Sequence, residues 1–507
     1  MRILLIQAKL TFCAGNVMML MNLPALSSYL KRAGYREVEQ MHLDAIPEDR
    51  NAVEGRLRDF KPDIVGIGAM TAQAKSMHEL ARLVKKISPG TLVIAGGPHT
   101  THYPQDCAAN EAIDVMIQQE GEASLLEVVR HHEEKRPFDG IKGIAFRRGT
   151  AARNSATGAT GAEGSAVGLP PQVPLTLSGT ASQPEAMLTA GKEIVRTPPR
   201  EFIEDLDSLP LPDWDAVDFD AYRRFLPCSM LPFGKRVAGI MTSRGCPYHC
   251  TFCHNQMGKE FRAQSPARVV EEISILYNKY GCRDIEIMDD IVNFDKDRMK
   301  AILRGLIASG IKPRIYMAIG LRGDLLDEET IDLFEPAGVV YLTVAVETGS
   351  PRIQKLLKKN IALDKMTRMI NYAAKKRIFV HGLFLFGFPQ ETVEDMWMTL
   401  RYACKSKLHS MMIGTCFGFR GTELGDTLDE SKVTTPDNDR AAFSSYNFVN
   451  CSSLSDRRIK TMKLLMNLRF YFYPPRIFRI LRDLPFYNAD LFKMFLRKLL
   501  NKFILFK

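Results

Sequence analysis

Between residues 237 and 417 the chain repeats one unit five times and closes on a sixth apolar run. Each unit is a short apolar run, then a cluster of glycine or polar residues, then an amphipathic stretch of helical period. The apolar runs are 237–242, 284–288, 314–319, 339–346, 379–386 and 408–417, and the helical stretches between them are 266–280, 296–309, 328–337, 363–376 and 393–405. Runs this short and apolar suit strands covered on both faces, and strands alternating with helices make a parallel sheet. Polar residues gathered after each strand are how a βα barrel arranges a site. Six strands are fewer than a closed barrel needs, so the expected form is a partial (β/α)6 barrel of TIM type, open on one side.

The first 148 residues carry a second set of the same kind. Residues 2–6, 38–43, 63–68, 91–95 and 114–117 read as strands with helical patterns between them. They predict an open α/β sheet of flavodoxin-like (Rossmann-like) order, whose ligands bind beyond the carboxyl ends of the strands. Those ends carry Thr71, then Gly96, Gly97, Pro98 and His99, then Glu120 and Gly121. Small residues there let a large planar ligand approach the backbone; the alternative is that the glycines only make turns. No Gly-x-Gly-x-x-Gly follows the first strand, which disfavours a dinucleotide.

Of ten cysteines, seven are scattered: Cys13, Cys107, Cys228, Cys282, Cys404, Cys416 and Cys451. The other three are Cys246, Cys250 and Cys253, spaced Cys-x-x-x-Cys-x-x-Cys after the first barrel strand. Scatter plus one cluster fits a reducing compartment with a metal site better than a disulfide framework. Three thiolates this close can wrap one face of a 4Fe–4S cube and leave one iron open, where a fourth would close it. The alternative is zinc, with His249 or His254 as fourth ligand, although structural zinc sites usually draw on two separated pairs.

At 46% apolar and 25% charged residues, the chain is neither disordered throughout nor collagen-like. Its net charge of +10 is local. Residues 456–507 hold 13 Lys/Arg against 3 Asp/Glu, and the other 455 residues balance at 55 of each sign. The main body is therefore no polycation, and nucleic acid is not an expected partner. Near the end, Leu491, Phe492, Phe495, Leu496, Leu499, Leu500 and Phe503 recur at helical spacing, with Lys493, Arg497, Lys498 and Lys502 on the complement. A basic amphipathic helix is a membrane-surface signature; the alternative is a helix packed on the barrel. No signal peptide or spanning segment is read, so the expected location is cytoplasmic, with peripheral association at the inner face of the membrane. The expected organisation is a ligand-binding domain 1–148, a flexible low-complexity insertion 149–190, a linker 191–234, the barrel 235–450 and a basic helical region 451–507.

The cysteine spacing, with Phe252 before the last cysteine, resembles the radical S-adenosylmethionine (SAM) superfamily. PDIVGIGAMT, VIAGGPHTT and EGEAS, in that order, resemble the cobalamin (B12)-binding domain that precedes many such enzymes, class B radical SAM methyltransferases among them. The resemblance implies a 4Fe–4S cluster on Cys246, Cys250 and Cys253, SAM chelated by the open iron, and cobalamin at Thr71, Gly96, Gly97, Pro98, His99, Glu120 and Gly121. It puts Phe252 beside the adenine, and Asp289 or Asp290 at the SAM amino group. Arg322, Glu347 and Ser350 would lie near the carboxylate and ribose, and Gly387 would leave room for adenine. There are departures. Met288-Asp289-Asp290 stands where Gly-Gly-Glu is common, and Gln390 where glycine is frequent. An Asp-x-His-x-x-Gly motif is absent, so cobalamin would bind without that histidine. Read as residues alone, Asp289 and Asp290 could cap the next helix, Arg322 could pair with Asp324 at the surface, and His381 reads as a satisfied core histidine.

The implied chemistry is reductive cleavage of SAM to methionine and a 5′-deoxyadenosyl radical, fed by a donor such as flavodoxin or ferredoxin, with cobalamin carrying a methyl group. The expected reaction is C-methylation of an unactivated carbon, on a small-molecule or lipid-like (isoprenoid) substrate suggested by the basic aromatic tail. The alternatives are a radical oxidative cyclisation or ring rearrangement without methyl transfer, and a non-enzymatic cobalamin or iron–sulfur sensor. No residue is assigned a catalytic role.

Overall fold

The computed structural model describes residues 1–10, 21–46, 49–148, 185–189, 192–224, 229, 231, 236–254, 256–434, 449–484 and 493. Most of the low-complexity insertion, and the amphipathic segment beyond 484 apart from Lys493, lie outside them. The chain divides into two compact units: Met1–Lys9 with Leu26–Glu201, and Leu10–Ala25 with Phe202–Lys507.

The first unit is built on one sheet. β1 (Ile3–Gln7), β2 (Val38–His42), β3 (Ile64–Gly68), β4 (Leu92–Gly96) and β5 (Val115–Ile117) run parallel in the order β2-β1-β3-β4-β5. This is the flavodoxin order, and it follows from the apolar runs: β1 is buried at all its positions, because helices cover both faces. Leu4, Ile6, Val65, Ile67 and Val93 pack with Met77 and Val84 of the helix Ala74–Ile87 in one core. The sheet then continues further than the sequence predicts. β6 (Ile144–Arg147), β7 (Glu185–Thr189) and β8 (Lys192–Arg196) add antiparallel in the order β5-β6-β8-β7. Residues 185–189 are thus a strand where the flexible insertion was expected, and 192–196 a strand where the linker was expected. Ile194 and Val195 supply the reason: both are buried against the sheet, and two apolar residues beside a low-complexity stretch are too weak a periodic signal to read.

The second unit begins with β9 (Val237–Ile240) and a short antiparallel pair, β10 (Ser243–Arg244) with β11 (Arg262–Ala263). β12 (Asp284–Ile287), β13 (Arg314–Leu321), β14 (Val339–Glu347), β15 (Phe379–Phe386) and β16 (Ser410–Thr415) follow. Six parallel strands line up as β16-β15-β14-β13-β12-β9, with β9 and β16 left as edges, so the barrel is partial. The crossover helices start at side-chain caps from Ser265, Asp295, Asp327 and Thr392. Asp295 therefore caps the helix after β12, and neither Asp289 nor Asp290 does; the helix begins several residues later than a cap at 289 or 290 would require. Gly338 ends the helix Glu328–Ala337 at φ +91, where a Cβ would lie 2.0 Å from the Pro313 carbonyl oxygen; no side chain fits there.

Two further helices, Asp456–Tyr471 and Pro474–Asp483, run along β16. Tyr471 donates to Met411 O and accepts from Met411 N, both at 3.0 Å. Arg476, 1% exposed, donates to the carbonyls of Leu408, Phe470, Ala403, Cys404 and Ser406. A cation set on the carbonyl end of the helix Val393–Lys405 answers both the orphan acceptors and the helix dipole. Arg476→Met keeps the volume and strands those carbonyls; it should lower stability by about 3 kcal/mol or more, read as an earlier urea midpoint. An unchanged midpoint would show that water reaches these carbonyls.

Candidate cofactor sites

The cysteine loop leaves β10 through a turn that only glycine allows. Gly245 has φ +83, and a Cβ there would sit 2.1 Å from the Glu260 carbonyl oxygen. The loop folds back so that Cys246 N donates to Gly258 O at 3.2 Å, while Thr251 N donates to Leu357 O at 3.1 Å and Thr251 O accepts from Leu424 N at 2.8 Å. Cys246 and Cys250 are half-buried, Cys253 is open on one side, and all three are free thiols. Their sulfurs do not all lie within 4.8 Å of one another. Tetrahedral zinc at Zn–S of about 2.3 Å would draw them to about 3.8 Å. Nor do the histidines complete a zinc set. His249 is exposed, and His254 packs on Phe419 with ring centroids 5.1 Å apart, burial pulling it down to about 4. Among the described residues no further histidine or cysteine is grouped with these thiols at metal-ligand spacing, and three spaced thiols fit a cube with one open corner. Burial raises all three thiols, Cys253 to about 12, so cluster loading would release protons.

Asp289 anchors this loop. It is 4% exposed and spends both oxygens, accepting from Thr242 N at 2.6 Å, Thr242 Oγ1 at 2.6 Å and Ser243 Oγ at 2.5 Å. Of the two aspartates offered to the SAM amino group, Asp290 is the one left open; it accepts from the Gly245 backbone, and burial together with the Asp289 charge raises its carboxyl. Arg322 is also a positioning group. Its Nε and Nη2 hold Asp324 at 3.1 and 2.7 Å, its other N–H groups donate to Lys359 O and Asn360 O, and its guanidinium lies 4.2 Å from the Tyr248 ring centroid. The Arg322–Asp324 pair expected at the surface is therefore buried, because the 359–360 segment and Tyr248 close over it.

Glu347 ends β14 at a register shift, with φ +63, a conformation that costs a residue bearing a side chain. What holds it is Lys359, whose Nζ lies 3.1 Å from Glu347 Oε1, the two side chains being 11% and 10% exposed. Burial would lower the Lys359 pKa, but Glu347 and the sulfurs of Cys250 and Cys253 outweigh it and the pKa is raised. The same Nζ is 6.0 Å from the centre of Phe252, whose ring meets Phe388 at 6.0 Å. Cys250, Cys253, Phe252 and Glu347 are thus brought together around a cation that the sequence did not single out. Lys358-Lys359-Asn360 reads as a surface turn, and Lys358 does lie outside, paired with Glu423. No local signal separates the two lysines.

Three expectations change. Ser350 is fully buried as the cap of the helix Pro351–Leu356, its Oγ donating to Asp395 Oδ1 at 2.5 Å; a serine before proline at a helix start is spent on the helix, not on SAM. Gly387 has φ +87, and a Cβ would meet Ile459 and Thr415 at 3.3 Å. Its missing side chain serves the turn and close packing, not an open space for adenine. Its N–H donates to Glu391 Oε2 at 2.6 Å, a carboxylate 1% exposed that FGFPQET did not mark as special. His381, by contrast, is the satisfied core residue expected, its Nδ1 2.6 Å from Ser410 Oγ.

In the first unit the third change concerns His99. It is fully buried, and its Nε2 lies 2.8 Å from Asp106 Oδ2, an atom also 2.8 Å from His78 Nε2. These three are the one group with metal-ligand spacing among the described residues. Asn110 Nδ2 donates to His78 Nδ1 at 3.0 Å, which puts the His78 proton on Nε2 and makes Asp106 an acceptor bridging two rings. His99 is thus an anchor turned inward instead of a ligand contact. The edge itself stays suited to a broad ligand. A Cβ on Gly96 would meet nothing within 4 Å, whereas one on Gly97 (φ +101) would lie 2.7 Å from Ala69 O. Thr71 opens the turn Thr71–Gln73 and Pro98 the short helix Pro98–His102 at the same edge. Gly121 precedes the helix Glu122–Glu133, and Glu120 beside it is buried. The small-residue rim of Gly96, Gly97 and Pro98 fits a corrin face laid on backbone.

A flavodoxin-order sheet with a bare glycine rim, and a partial barrel with a three-thiol loop, define a protein of two redox cofactors. The B12 binding domain matches residues 9–129 and the Radical SAM superfamily matches residues 240–403. The chain thus joins a domain of B12-binding type to one of the Radical SAM superfamily, and its relatives include named methyltransferases. It is 27% identical over 427 residues to an uncharacterized methyltransferase of Pyrococcus horikoshii, covering 81% of each chain. It is 29% identical to the cytidylyl-2-hydroxyethylphosphonate methyltransferase of Streptomyces wedmorensis, over 73% of this chain and 67% of that one. It is 22% identical to the hopanoid C-3 methylase of Methylococcus capsulatus, over 82% of this chain and 70% of that one. In fold it resembles the radical SAM methyltransferase TsrM of Kitasatospora setae, with TM-score 0.61 and 19% identity, over 83% of this chain and 74% of that one.

Two outcomes follow from this geometry. Lys359→Met leaves Glu347 buried and unpaired, and should cost about 3 kcal/mol in the cofactor-free protein; adding Glu347→Gln should recover part of it in urea unfolding, and no recovery would disprove the pairing. Burial pushes Glu391 up to about 8 from its ordinary 4.5. The folded chain therefore keeps a proton that the unfolded chain sheds, so stability falls as pH rises from 4.5 to about 8. Glu391→Gln should flatten that slope, measured by unfolding across the same pH range.

Proposed function

We propose that this enzyme methylates an unactivated carbon of a small, lipid-like substrate. The observation that carries the reading is the pairing, in one chain, of a loop with three free thiols at Cys246, Cys250 and Cys253 with a domain of B12-binding type. When bound, the cluster and SAM supply a carbon-centred radical and cobalamin supplies a methyl carrier. The chain's own residues hold and orient. Cys246, Cys250 and Cys253 hold the cluster. Asp289 fixes the start of its loop, and Arg322 stacks on Tyr248 within it. Asp290 offers a carboxylate to the SAM ammonium, Glu347 offers one to the ribose under the control of Lys359, and Phe252 with Phe388 walls the adenine from water. Thr71, Gly96, Gly97, Pro98, Glu120 and Gly121 form the cobalamin rim. The electron comes from a donor of flavodoxin or ferredoxin type.

The lipid class is supported by the basic aromatic C-terminus and by a relative named for a hopanoid, and it implies a peripheral position at the inner face of the membrane. The test is anaerobic reconstitution with iron, sulfide, cobalamin, SAM, a strong reductant and an isoprenoid lipid extract, followed by mass spectrometry. The expected products are S-adenosylhomocysteine and 5′-deoxyadenosine together, both lost in Cys250→Ala. Deoxyadenosine alone would overturn methyl transfer in favour of a cyclisation or rearrangement, and no cleavage at all would overturn the enzyme reading.

A further inference from the structure

We infer that the helices Asp456–Tyr471 and Pro474–Asp483 form a docking surface for an anionic lipid bilayer. The proposed lipid-like substrate gives this surface its purpose, and in that respect the inference rests on that reading; its observations are separate.

The described residues expose twelve large apolar side chains, and seven of them lie between residues 465 and 481. On the first helix Leu465, Leu468 and Phe472 are 39%, 37% and 70% exposed, while Met462, Met466 and Phe470 face the core at 3% or less. The outward side of that helix sets large apolar groups among its cations, an arrangement that water alone does not favour. The second helix buries charge beside Ile480 and exposes apolar bulk. Its buried side carries Arg476 and Asp483, and Asp483 Oδ2 lies 2.9 Å from His409 Nε2 with both side chains fully buried. Its outer side carries Ile477, Phe478 and Leu481 at 42%, 67% and 48% exposure. Charges inward and large apolar groups outward at i, i+1 and i+4 suit an apolar medium outside, not water.

Charge selects the occupant. Arg457, Arg458, Lys460, Arg469 and Arg482 are exposed on the same two helices, against Asp456 as their one exposed acid. A second copy docking face to face would set these cations against their own images. An anionic leaflet takes the apolar groups into its interface and pairs the cations with headgroups. The sequence beyond residue 484 continues the same sign, with five Lys/Arg and one Asp. The surface lies toward the amino end of β16, where Tyr471 holds Met411 and Arg476 holds Leu408, and the thiol loop belongs to the carboxyl ends. It is therefore an anchor and not the mouth of the site.

The test uses the full chain and vesicles of phosphatidylcholine with or without about one-third phosphatidylglycerol, read by co-sedimentation. Binding is expected only with phosphatidylglycerol, and should weaken in about 0.5 M salt. Phe472→Ser with Phe478→Ser should weaken it by about tenfold or more, and Arg458→Glu with Arg469→Glu should do likewise. Wild-type protein that stays in the supernatant would overturn the inference. So would serine variants that bind like the wild type, which would assign binding to the segment beyond 484. A dimer in light scattering that the serine variants dissolve, without vesicle binding, would make this face a self-interface. The serine variants should still cleave SAM like the wild type. Wild-type protein that makes both nucleoside products but binds no vesicles defeats only the anchor, and wild-type protein that binds vesicles but makes deoxyadenosine without S-adenosylhomocysteine defeats only the methyl-transfer reading.

Discussion

The barrel site depends on one buried carboxylate. Asp289, at the end of β12, takes three hydrogen bonds from Thr242 and Ser243, where the chain leaves β9 for the thiol loop. A charge this deep is tolerated only because every bond is made, and once made they lock the loop's origin to the sheet. Arg322 does the same at the other side, through Tyr248 and the 359–360 segment. One clamp precedes Cys246 and the other meets Tyr248, between the first two cysteines, so the frame fixes the loop's course. A site preset in this way needs little reorganisation when a cluster arrives.

Charge in the second unit is spent inward. Arg476, Asp483, Arg322, Asp324, Glu347 and Lys359 are all in buried bonds, and each pair orients backbone more than it adds stability. The Glu347–Lys359 pair is the plainest case. The strained backbone at Glu347 persists because a cation from another segment holds its side chain, and strain of this kind gathers where a protein must hold a group in an uncommon direction. Lys359 stands beside the sulfurs, so the same ammonium also sets part of the field that a cluster would feel.

Much of the architecture was legible because period and spacing are local properties. The six barrel strands, the flavodoxin order and the cysteine triplet needed no tertiary knowledge. Legibility failed where a residue's role depends on a distant partner. Ser350 and Gly387 sit in motifs that suggested ligand contact, yet Asp395, Ile459 and Thr415, all remote in sequence, decide that they cap and pack. His99 looked like a rim residue until Asp106 and His78 were found to hold it inward. Lys359 carried no mark at all beside Lys358.

By itself the sequence determined the class of chemistry, since three cysteines at that spacing can leave a metal corner vacant whatever surrounds them, and it determined the strand–helix alternation that carries them. Tertiary structure decided which carboxylates and cations are free to meet a cofactor and which are consumed in holding the frame. It also decided that the last helices bury Arg476 and Asp483 while Phe472 and Phe478 stay outside. The physical reason is the same in both cases: burial and pairing are set by segments that lie up to about seventy residues apart in the chain, and no local pattern encodes which of two like side chains will find its partner.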